Sequence, residues 1–271
     1  MNNKFIKFPP KTPVQRLVVE IFFLIVFIIL FGIFGGKAQT DVLYTIIITI
    51  SCIATIIIRF ILVNVAGDWL FFILGVVFGG GNDFMSMING VYYYTAIPII
   101  PNLALPIFMW LFWGWAFLLF RKIFNLAWCR GEKFQKDGRF LRGWIDTKLI
   151  FDIALVIVLR LVIYNTYLLD FWIPALFYGI AVGIRLLIFH PKKNELRIII
   201  FLPIAYFFEG IMVLFGLYVY YNPIFPGIPL WLMIWWVLLV PIVLKEIFDR
   251  LEFIVENRQK NREDNTSNNG S

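Results

Sequence analysis

Two acidic residues lie inside apolar stretches of this chain and share the pattern that follows them. In each case a Gly-x-Tyr-x-Tyr sequence begins seven residues after the acid, giving Asp83 with residues 90–94 and Glu209 with residues 216–220. An ionisable side chain in a membrane-length apolar stretch is costly and is by default a candidate functional group. A carboxyl group removed from water favours its protonated form, so both residues are candidate catalytic general acids.

A structural interpretation of both acids stands beside the catalytic one. Each carboxyl could instead hydrogen-bond a neighbouring helix or cap a broken one. For Asp83, the preceding Gly79-Gly80-Gly81-Asn82 could break the helix and leave the carboxyl to accept from loose backbone amides.

Aromatic and basic residues complete the candidate site. The ring faces of the aromatic residues could line an apolar cavity and stabilise a carbocation. The same rings could instead form the aromatic belt found at membrane interfaces. Arg160 is central in its apolar stretch and needs an acidic partner from another helix, for which Glu209 and Asp170 are the candidates. The candidate substrate-binding residues are Tyr92, Tyr94, Tyr218, Tyr220, Arg160, Trp113 and Trp236.

Two further arginines, Arg59 and Arg185, lie toward the predicted cytoplasmic ends of their apolar stretches. A long side chain in that position can extend to the lipid headgroups. Anchoring is therefore the favoured interpretation, with binding of an anionic substrate or lipid headgroup as the alternative.

The composition indicates that membrane helices must position these residues. Of the 271 residues, 61% are hydrophobic and only 15% are charged, which excludes an ordinary soluble domain. The net charge of +7 is concentrated in short segments between apolar stretches, which indicates cytoplasmic loops and not a nucleic-acid-binding surface. One His and two Cys argue against a metal site, no nucleotide-binding loop or nucleophile elbow is present, and we expect no cofactor.

Apolar stretches of about 20 residues, the length that crosses a bilayer, occur about eight times. They predict an all-α polytopic membrane bundle in a cell membrane. Basic residues concentrate in alternate connections, so both termini are predicted to be cytoplasmic. The approximate predicted spans are residues 17–36, 42–63, 69–89, 103–120, 149–166, 169–189, 197–217 and 229–246.

The polar residues also suggest an internal repeat. A shift of 126 residues places Asp83 on Glu209, Arg59 on Arg185 and Glu20 on Asp146. With four spans in each half, the two copies would have the same orientation in the membrane. The predicted organisation is a cytoplasmic arm (1–16), a first four-helix repeat (17–120), a basic cytoplasmic loop (121–148), a second four-helix repeat (149–246) and a cytoplasmic tail (247–271) with a disordered end.

An acid followed by Gly-x-Tyr-x-Tyr, and then by a loop with Pro that opens another apolar stretch, resembles the integral-membrane enzymes of carotenoid biosynthesis. These are the heterodimeric-type lycopene cyclase domains, which occur as tandem repeats, and the bisanhydrobacterioruberin hydratase-like proteins. The cyclases carry a Pro-x-Glu-Glu type motif after the loop, where this chain has Pro106-Ile-Phe-Met and Pro229-Leu-Trp-Leu. This difference leaves the hydratase-like proteins, or a divergent member of unknown activity, as the nearer matches. The matching residues are Asp83, Gly90, Tyr92, Tyr94 and Pro106, and then Glu209, Gly216, Tyr218, Tyr220, Gly227 and Pro229.

The residues and the resemblance lead to three hypotheses. The first is an enzyme of the cyclase or hydratase type, in which Glu209 and Asp83 protonate a C=C bond of a polyprenyl or carotenoid-like lipid. The second is a transporter or channel for a small lipophilic or anionic solute, with Arg59, Arg160 and Arg185 in its path. The third is a non-catalytic membrane protein. The expected partners are the lipid bilayer and an isoprenoid-like lipophilic substrate, and not nucleic acid.

Overall fold

The computed structural model describes residues 12–100, 103, 105–131, 134–136, 141–199, 202–224 and 227–268, and these residues are mostly helical. Within them, six helices are long and apolar enough to cross a membrane, which confirms the helical class and is compatible with a membrane protein. They are α1 (Pro13–Phe34), α2 (Val42–Leu62), a continuous helix over Asp68–Ile88, α5 (Ile107–Phe124), α6 (Thr147–Thr166) and a long C-terminal helix over Leu230–Asn261.

Two of these long helices contain a π-helical turn. In Asp68–Ile88 the turn is Gly75–Gly80, between α3 (Asp68–Leu74) and α4 (Gly81–Ile88). In the C-terminal helix the turn is Leu239–Leu244, between α10 (Leu230–Leu238) and α11 (Lys245–Asn268).

The remaining elements are shorter. The helices are α7 (Trp172–Ile188), α8 (Lys193–Ile198) and α9 (Leu202–Leu214), and the strands β1 (Tyr92–Tyr94) and β2 (Tyr218–Tyr220) pair with each other. Short 3-10 turns occupy Lys37–Gln39 and Leu141–Gly143. The apolar helices α7 and Ala205–Leu214, which fall within the predicted sixth and seventh spans, are shorter than the six long helices in the part of the chain that the structure describes.

Polar residues between the apolar stretches fix where the helices begin. The Thr12 hydroxyl accepts a hydrogen bond from the backbone N–H of Gln15, and the side-chain oxygen of Gln15 accepts one from the Thr12 N–H. Pro13 occupies the first helical position of α1. Asp41 caps α2 by accepting from the Leu43 N–H at 2.9 Å. These are standard N-terminal signals, because they satisfy amides that have no partner inside the helix.

The chain divides into two compact units. The first unit consists of Met1–Leu126 with Ile211–Val219, and the second of Ala127–Gly210 with Tyr220–Ser271. Large aromatic side chains fill both interiors. Fully buried examples are Phe27, Phe31, Phe108 and Trp115 in the first unit and Tyr178 and Trp235 in the second.

The C-terminal segment differs from the sequence prediction. We predicted a disordered end from about residue 257, whereas α11 is helical through Asn268. The side chains of Phe248 and Val255 on this helix are buried. Lys245 pairs with Asp249 and Glu246 with Arg250, each at an i, i+4 spacing that supports a helix.

Candidate functional site

The first acid of the repeated motif is held by two neutral aromatic donors. Asp83 lies in α4 and is 7% exposed. Its Oδ2 atom accepts a hydrogen bond from the Tyr94 hydroxyl at 3.0 Å and another from the indole Nε1–H of Trp113 at 2.6 Å. The structure therefore brings together one candidate catalytic residue and two candidate binding residues.

The second acid has the equivalent tyrosine contact. Glu209 lies in α9 and is partly buried. Its Oε1 atom accepts a hydrogen bond from the hydroxyl of Tyr220, a buried residue, at 2.6 Å. In both copies the tyrosine follows the acid by 11 residues.

The same backbone turn builds both contacts. Gly90 and Gly216 follow the ends of α4 and α9 with φ of 75° and 69°, a left-handed conformation that glycine adopts at low cost. This helix ending reverses the chain and returns the tyrosine of the following strand to the acid on the helix. The paired backbone hydrogen bonds are Gly90 N to Met87 O and Val91 N to Ser86 O in the first copy, and Gly216 N to Val213 O and Leu217 N to Met212 O in the second.

The predicted helix break before Asp83 is wrong. The chain stays helical from Asp68 to Ile88 through the π-helical turn. Its glycines make room for indole rings of α5, because a Cβ atom on Gly79 would lie 2.6 to 2.9 Å from ring atoms of Trp113, and one on Gly80 would overlap the ring of Trp110. The glycine run therefore allows the close approach that puts the Trp113 indole on Asp83.

Three of the candidate tyrosines cluster in the first unit. The ring centroid of Tyr94 lies 6.0 Å from that of Tyr92 and 5.1 Å from that of Tyr218, and Tyr92 and Tyr218 are 6.2 Å apart. Tyr92 and Tyr218 are both buried. Asp83 is therefore hydrogen-bonded to the edge of an aromatic cluster.

In the second unit a chain of rings runs from Tyr220 toward Arg160. Tyr220 contacts Trp231 at 6.5 Å between ring centroids, Trp231 contacts Tyr178 at 5.6 Å, and Tyr178 contacts Trp235 at 6.1 Å. The guanidinium of Arg160 lies 4.1 Å from the Trp235 ring centroid, within cation–π distance.

Two other sequence predictions concern this part of the second unit. Trp236, a further candidate binding residue, is 8% exposed. The pairing of Arg160 with Glu209 or Asp170 stays a prediction.

The anchoring interpretation of Arg59 is wrong, because this side chain is fully buried in an ion-pair cluster. Its Nε atom lies 3.0 Å from Oε1 of Glu20, and its Nη1 atom lies 2.7 Å from Oδ2 of Asp68. Arg121 and Lys122 contact the other oxygen of Asp68 at 2.6 and 2.7 Å. Sequence reasoning missed Asp68, Arg121 and Lys122. Each is a charged residue at one end of an apolar stretch, where it needs a partner of opposite charge.

Arg185 is also buried and not anchored at the headgroups. Its Nε and Nη2 atoms form a two-point contact with Asp152, at 2.8 and 3.0 Å, and Nη1 donates to the Phe189 carbonyl at 2.7 Å. Both side chains of the pair are fully buried. A carboxylate from another helix therefore satisfies this charge inside the unit.

The aligned acids Glu20 and Asp146 have different roles. Glu20 pairs with Arg59, whereas Asp146 caps α6 by accepting from the Leu149 N–H and pairs with Arg250 at 2.8 Å. The acid that serves Arg185 is Asp152. The 126-residue shift therefore aligns the two arginines but not the acids that pair with them.

Among the described residues, neither the cysteines nor the potential metal ligands form a functional site. Among those residues, no group of three or more His, Cys, Asp or Glu side chains is placed to hold a metal ion. Cys52 and Cys129 are buried free thiols, and burial raises the pKa of Cys129 to about 11. A thiol with such a pKa is almost entirely protonated at neutral pH and is a poor nucleophile.

No family model, curated protein or solved structure matches this chain. The contacts of Asp83 and Glu209 are therefore the basis on which a function can be argued.

Proposed function

We propose that this protein is an integral-membrane enzyme that protonates a C=C bond of a polyprenyl or carotenoid-like lipid with Asp83 and Glu209. The observation that carries the proposal is the repeated acid–tyrosine pair, Tyr94 on Asp83 and Tyr220 on Glu209, built by the same left-handed glycine turn. A purely structural role would need only a satisfied carboxyl. It would not need an acid, a glycine and a tyrosine at the same spacing twice.

The proposed chemistry begins with transfer of the carboxyl proton to one alkene carbon, which leaves a tertiary carbocation and a carboxylate. Hydroxyl and indole N–H donors such as Tyr94 and Trp113 stabilise that carboxylate by charge-assisted hydrogen bonds. Aromatic ring faces stabilise the cation. In a hydratase the reaction ends by addition of water to the cation with release of a proton. In a cyclase a second C=C bond of the same lipid attacks the cation and closes a ring, and the new cation loses a proton from a neighbouring carbon. In either case a proton returns to the carboxylate and the enzyme is regenerated.

The proposed architecture has two four-helix repeats of the same orientation, with both termini in the cytoplasm. Supporting this, α2 and α7 each end three residues after a buried arginine, whose carbonyl accepts a hydrogen bond from the N–H of the residue that follows the helix, Val63 or Phe189. The helix-ending turns after α4 and α9 also match bond for bond at the 126-residue shift. The substrate class is proposed on the apolar setting of the acids and on the resemblance to carotenoid-biosynthesis enzymes.

The transport hypothesis receives less support. A solute path along Arg59 and Arg185 would need these guanidinium groups to face a passage. Both are instead fully buried and bound to carboxylates, and removing one partner of such a pair costs several kcal/mol. The acid–tyrosine pairs therefore make the enzymatic hypothesis the better supported one.

The experiment uses the purified protein in lipid vesicles made with D₂O and supplied with acyclic polyprenyl and carotenoid lipids. Protonation at carbon places deuterium in a C–D bond that does not exchange back, and mass spectrometry of the extracted lipids detects it. Asp83→Asn and Glu209→Gln are expected to lower deuterium incorporation by about 10² to 10⁴-fold, the usual contribution of a general acid.

The matched control is a neighbouring tyrosine. Tyr94→Phe removes a donor to Asp83 and is expected to slow incorporation, whereas Tyr93→Phe changes a half-exposed ring of the same strand and is expected to have no effect. The proposal is refuted if the Asp83→Asn, Glu209→Gln double variant retains wild-type incorporation. It is equally refuted if the wild-type protein labels none of the acyclic isoprenoids.

A further inference from the structure

Part of the second motif copy packs inside the first compact unit. Residues 215–218 belong to this unit, and we call them the docking segment. Two glycines near the end of α1 make room for it. A Cβ atom on Gly32 would lie 3.0 Å from the ring of Phe215, and one on Gly35 would lie 3.0 Å from the side chain of Leu217. The docking segment therefore fills space that larger side chains on α1 would occupy.

Hydrogen bonds to its backbone hold the docking segment in place. The side-chain amide of Gln39 donates to the Gly216 carbonyl at 2.7 Å. The Thr95 hydroxyl donates to the same carbonyl, and the Thr95 N–H donates to the Leu217 carbonyl at 3.0 Å. All three donors come from the first half of the chain, so tertiary structure and not local sequence fixes the position of this segment.

The docking segment ends at Tyr218, whose ring contacts the tyrosine that holds the first acid. The ring centroids of Tyr218 and Tyr94 are 5.1 Å apart, and the ring planes are inclined at 67°. This distance and this angle are typical of a stabilising edge-to-face pair. The Tyr94 hydroxyl in turn donates to Oδ2 of Asp83 at 3.0 Å. A displacement of Tyr218 would therefore remove one of the rings that fix the orientation of Tyr94 on the carboxyl group.

We propose that Tyr218 is a positioning residue for Asp83, because its ring holds the Tyr94 hydroxyl on the carboxyl group that protonates the lipid. This inference rests on the proposed enzymatic function. It differs from the sequence prediction of substrate binding by Tyr218, because a ring that acts through Tyr94 needs no contact with the lipid. The first acid site is then composite, since a residue of the second motif copy completes it.

The first test measures the rate of deuterium incorporation in lipid vesicles over a range of substrate-lipid concentrations. Tyr218→Leu removes the ring contact and is expected to lower kcat by about 10 to 100-fold, the cost of misplacing a reacting group. KM is expected to keep its wild-type value, because a residue that does not touch the lipid does not contribute to binding it. Tyr218→Phe keeps the ring and is expected to lie closer to wild type. The control is Val219→Ala, a change in an exposed residue of the same strand, which is expected to leave both constants unchanged.

The second test observes Tyr94 itself and does not depend on activity. The full-length protein carries 3-fluorotyrosine at position 94, and its ¹⁹F NMR resonance reports the hydrogen bonding of the phenol. Asp83→Ala removes the acceptor and supplies the reference resonance for a broken hydrogen bond. Tyr218→Leu is expected to move the Tyr94 resonance toward this reference, whereas Val219→Ala is expected to leave it in place.

A variant at the other end of the docking segment applies if Tyr218→Leu does not fold. Gly32→Leu places a side chain against the ring of Phe215 and is expected to move the Tyr94 resonance in the same direction. Gly36→Leu is the matched control, because the nearest atom to a Cβ on Gly36 lies 4.0 Å away. This control is expected to give the wild-type resonance.

An unchanged Tyr94 resonance in Tyr218→Leu would overturn the inference, as would an unchanged resonance in Gly32→Leu where Tyr218→Leu does not fold. A raised KM with unchanged kcat in Tyr218→Leu would also overturn it, because that result would identify Tyr218 as a substrate-binding residue. If the wild-type protein labels no lipid, the proposed enzymatic function fails by itself. The ¹⁹F spectra then decide alone whether Tyr218 positions Tyr94 on Asp83.

Discussion

The buried pair of Asp152 and Arg185 offers the sharpest test of the packing of the second unit. Both side chains are fully buried and joined by two hydrogen bonds of 2.8 and 3.0 Å. Asp152→Leu leaves the guanidinium buried without its carboxylate, which is expected to lower the free energy of unfolding by roughly 3 to 5 kcal/mol. Arg185→Met strands the carboxylate and is expected to cost a similar amount. The double variant replaces both charges by apolar groups and is expected to be within about 2 kcal/mol of wild type.

The assay is unfolding of the purified protein in mixed micelles, followed by tryptophan fluorescence, with the four proteins arranged as a double-mutant cycle. The exposed pair of Arg130 and Glu256 in the same unit is the control, since its side chains are 46% and 40% exposed. Glu256→Gln is expected to change stability by less than about 1 kcal/mol. Additive effects of Asp152→Leu and Arg185→Met, or single variants as mild as Glu256→Gln, would show that the buried contact is not formed.

Three further predictions concern other parts of the molecule. Gly79→Ala places a Cβ atom against the Trp113 ring and is expected to destabilise the protein by about 1 to 3 kcal/mol, whereas Gly81→Ala, whose Cβ meets nothing within 4 Å, is expected to be neutral or slightly stabilising in the same unfolding assay. Burial alone would raise the pKa of Asp146, but the Leu149 N–H and the Arg250 guanidinium hold it below its usual value. Asp146 therefore stabilises the fold above about pH 4, and the stability difference between wild type and Asp146→Asn is expected to vanish as acid protonates this carboxyl, measured by thermal unfolding across pH. Cys129, buried and with its pKa raised to about 11, is expected to react with maleimide at pH 7 only after unfolding, and rapid labelling of the native protein would contradict its burial.

Local sequence pattern predicted the candidate acid sites better than it predicted the ion pairs. The spacing from Asp83 to Tyr94 is set by one helix ending, one left-handed glycine and a short strand, all of which are local features. In both copies the tyrosine therefore reaches the acid without a contribution from residues far away in the sequence. Trp113 comes from a different helix, and only the packing of that helix against the glycine run brings its indole to Asp83.

The partners of the buried arginines could not be predicted because sequence does not give the rotation of one helix against another. Arg59 and Arg185 stand near helix ends, where extension to the headgroups and pairing inside the protein look the same in a sequence. Aligned positions also misled, since Asp146 corresponds to Glu20 but precedes its helix and serves as a cap. An arginine that is paired inside one helix bundle takes its acid from whichever neighbouring position faces it.

The turn at Gly216 has a consequence for how the protein is made. Residues 211–219 belong to the first compact unit, where Gln39 donates to the Gly216 carbonyl at 2.7 Å and the Thr95 N–H donates to the Leu217 carbonyl at 3.0 Å. The ribosome completes residues 1–126 long before it synthesises this turn. These donors of the nascent first unit therefore lack their acceptors until residues 211–219 have been synthesised. Assembly order departs from synthesis order, and a chain severed after residue 126 would release a first unit that lacks part of its own structure.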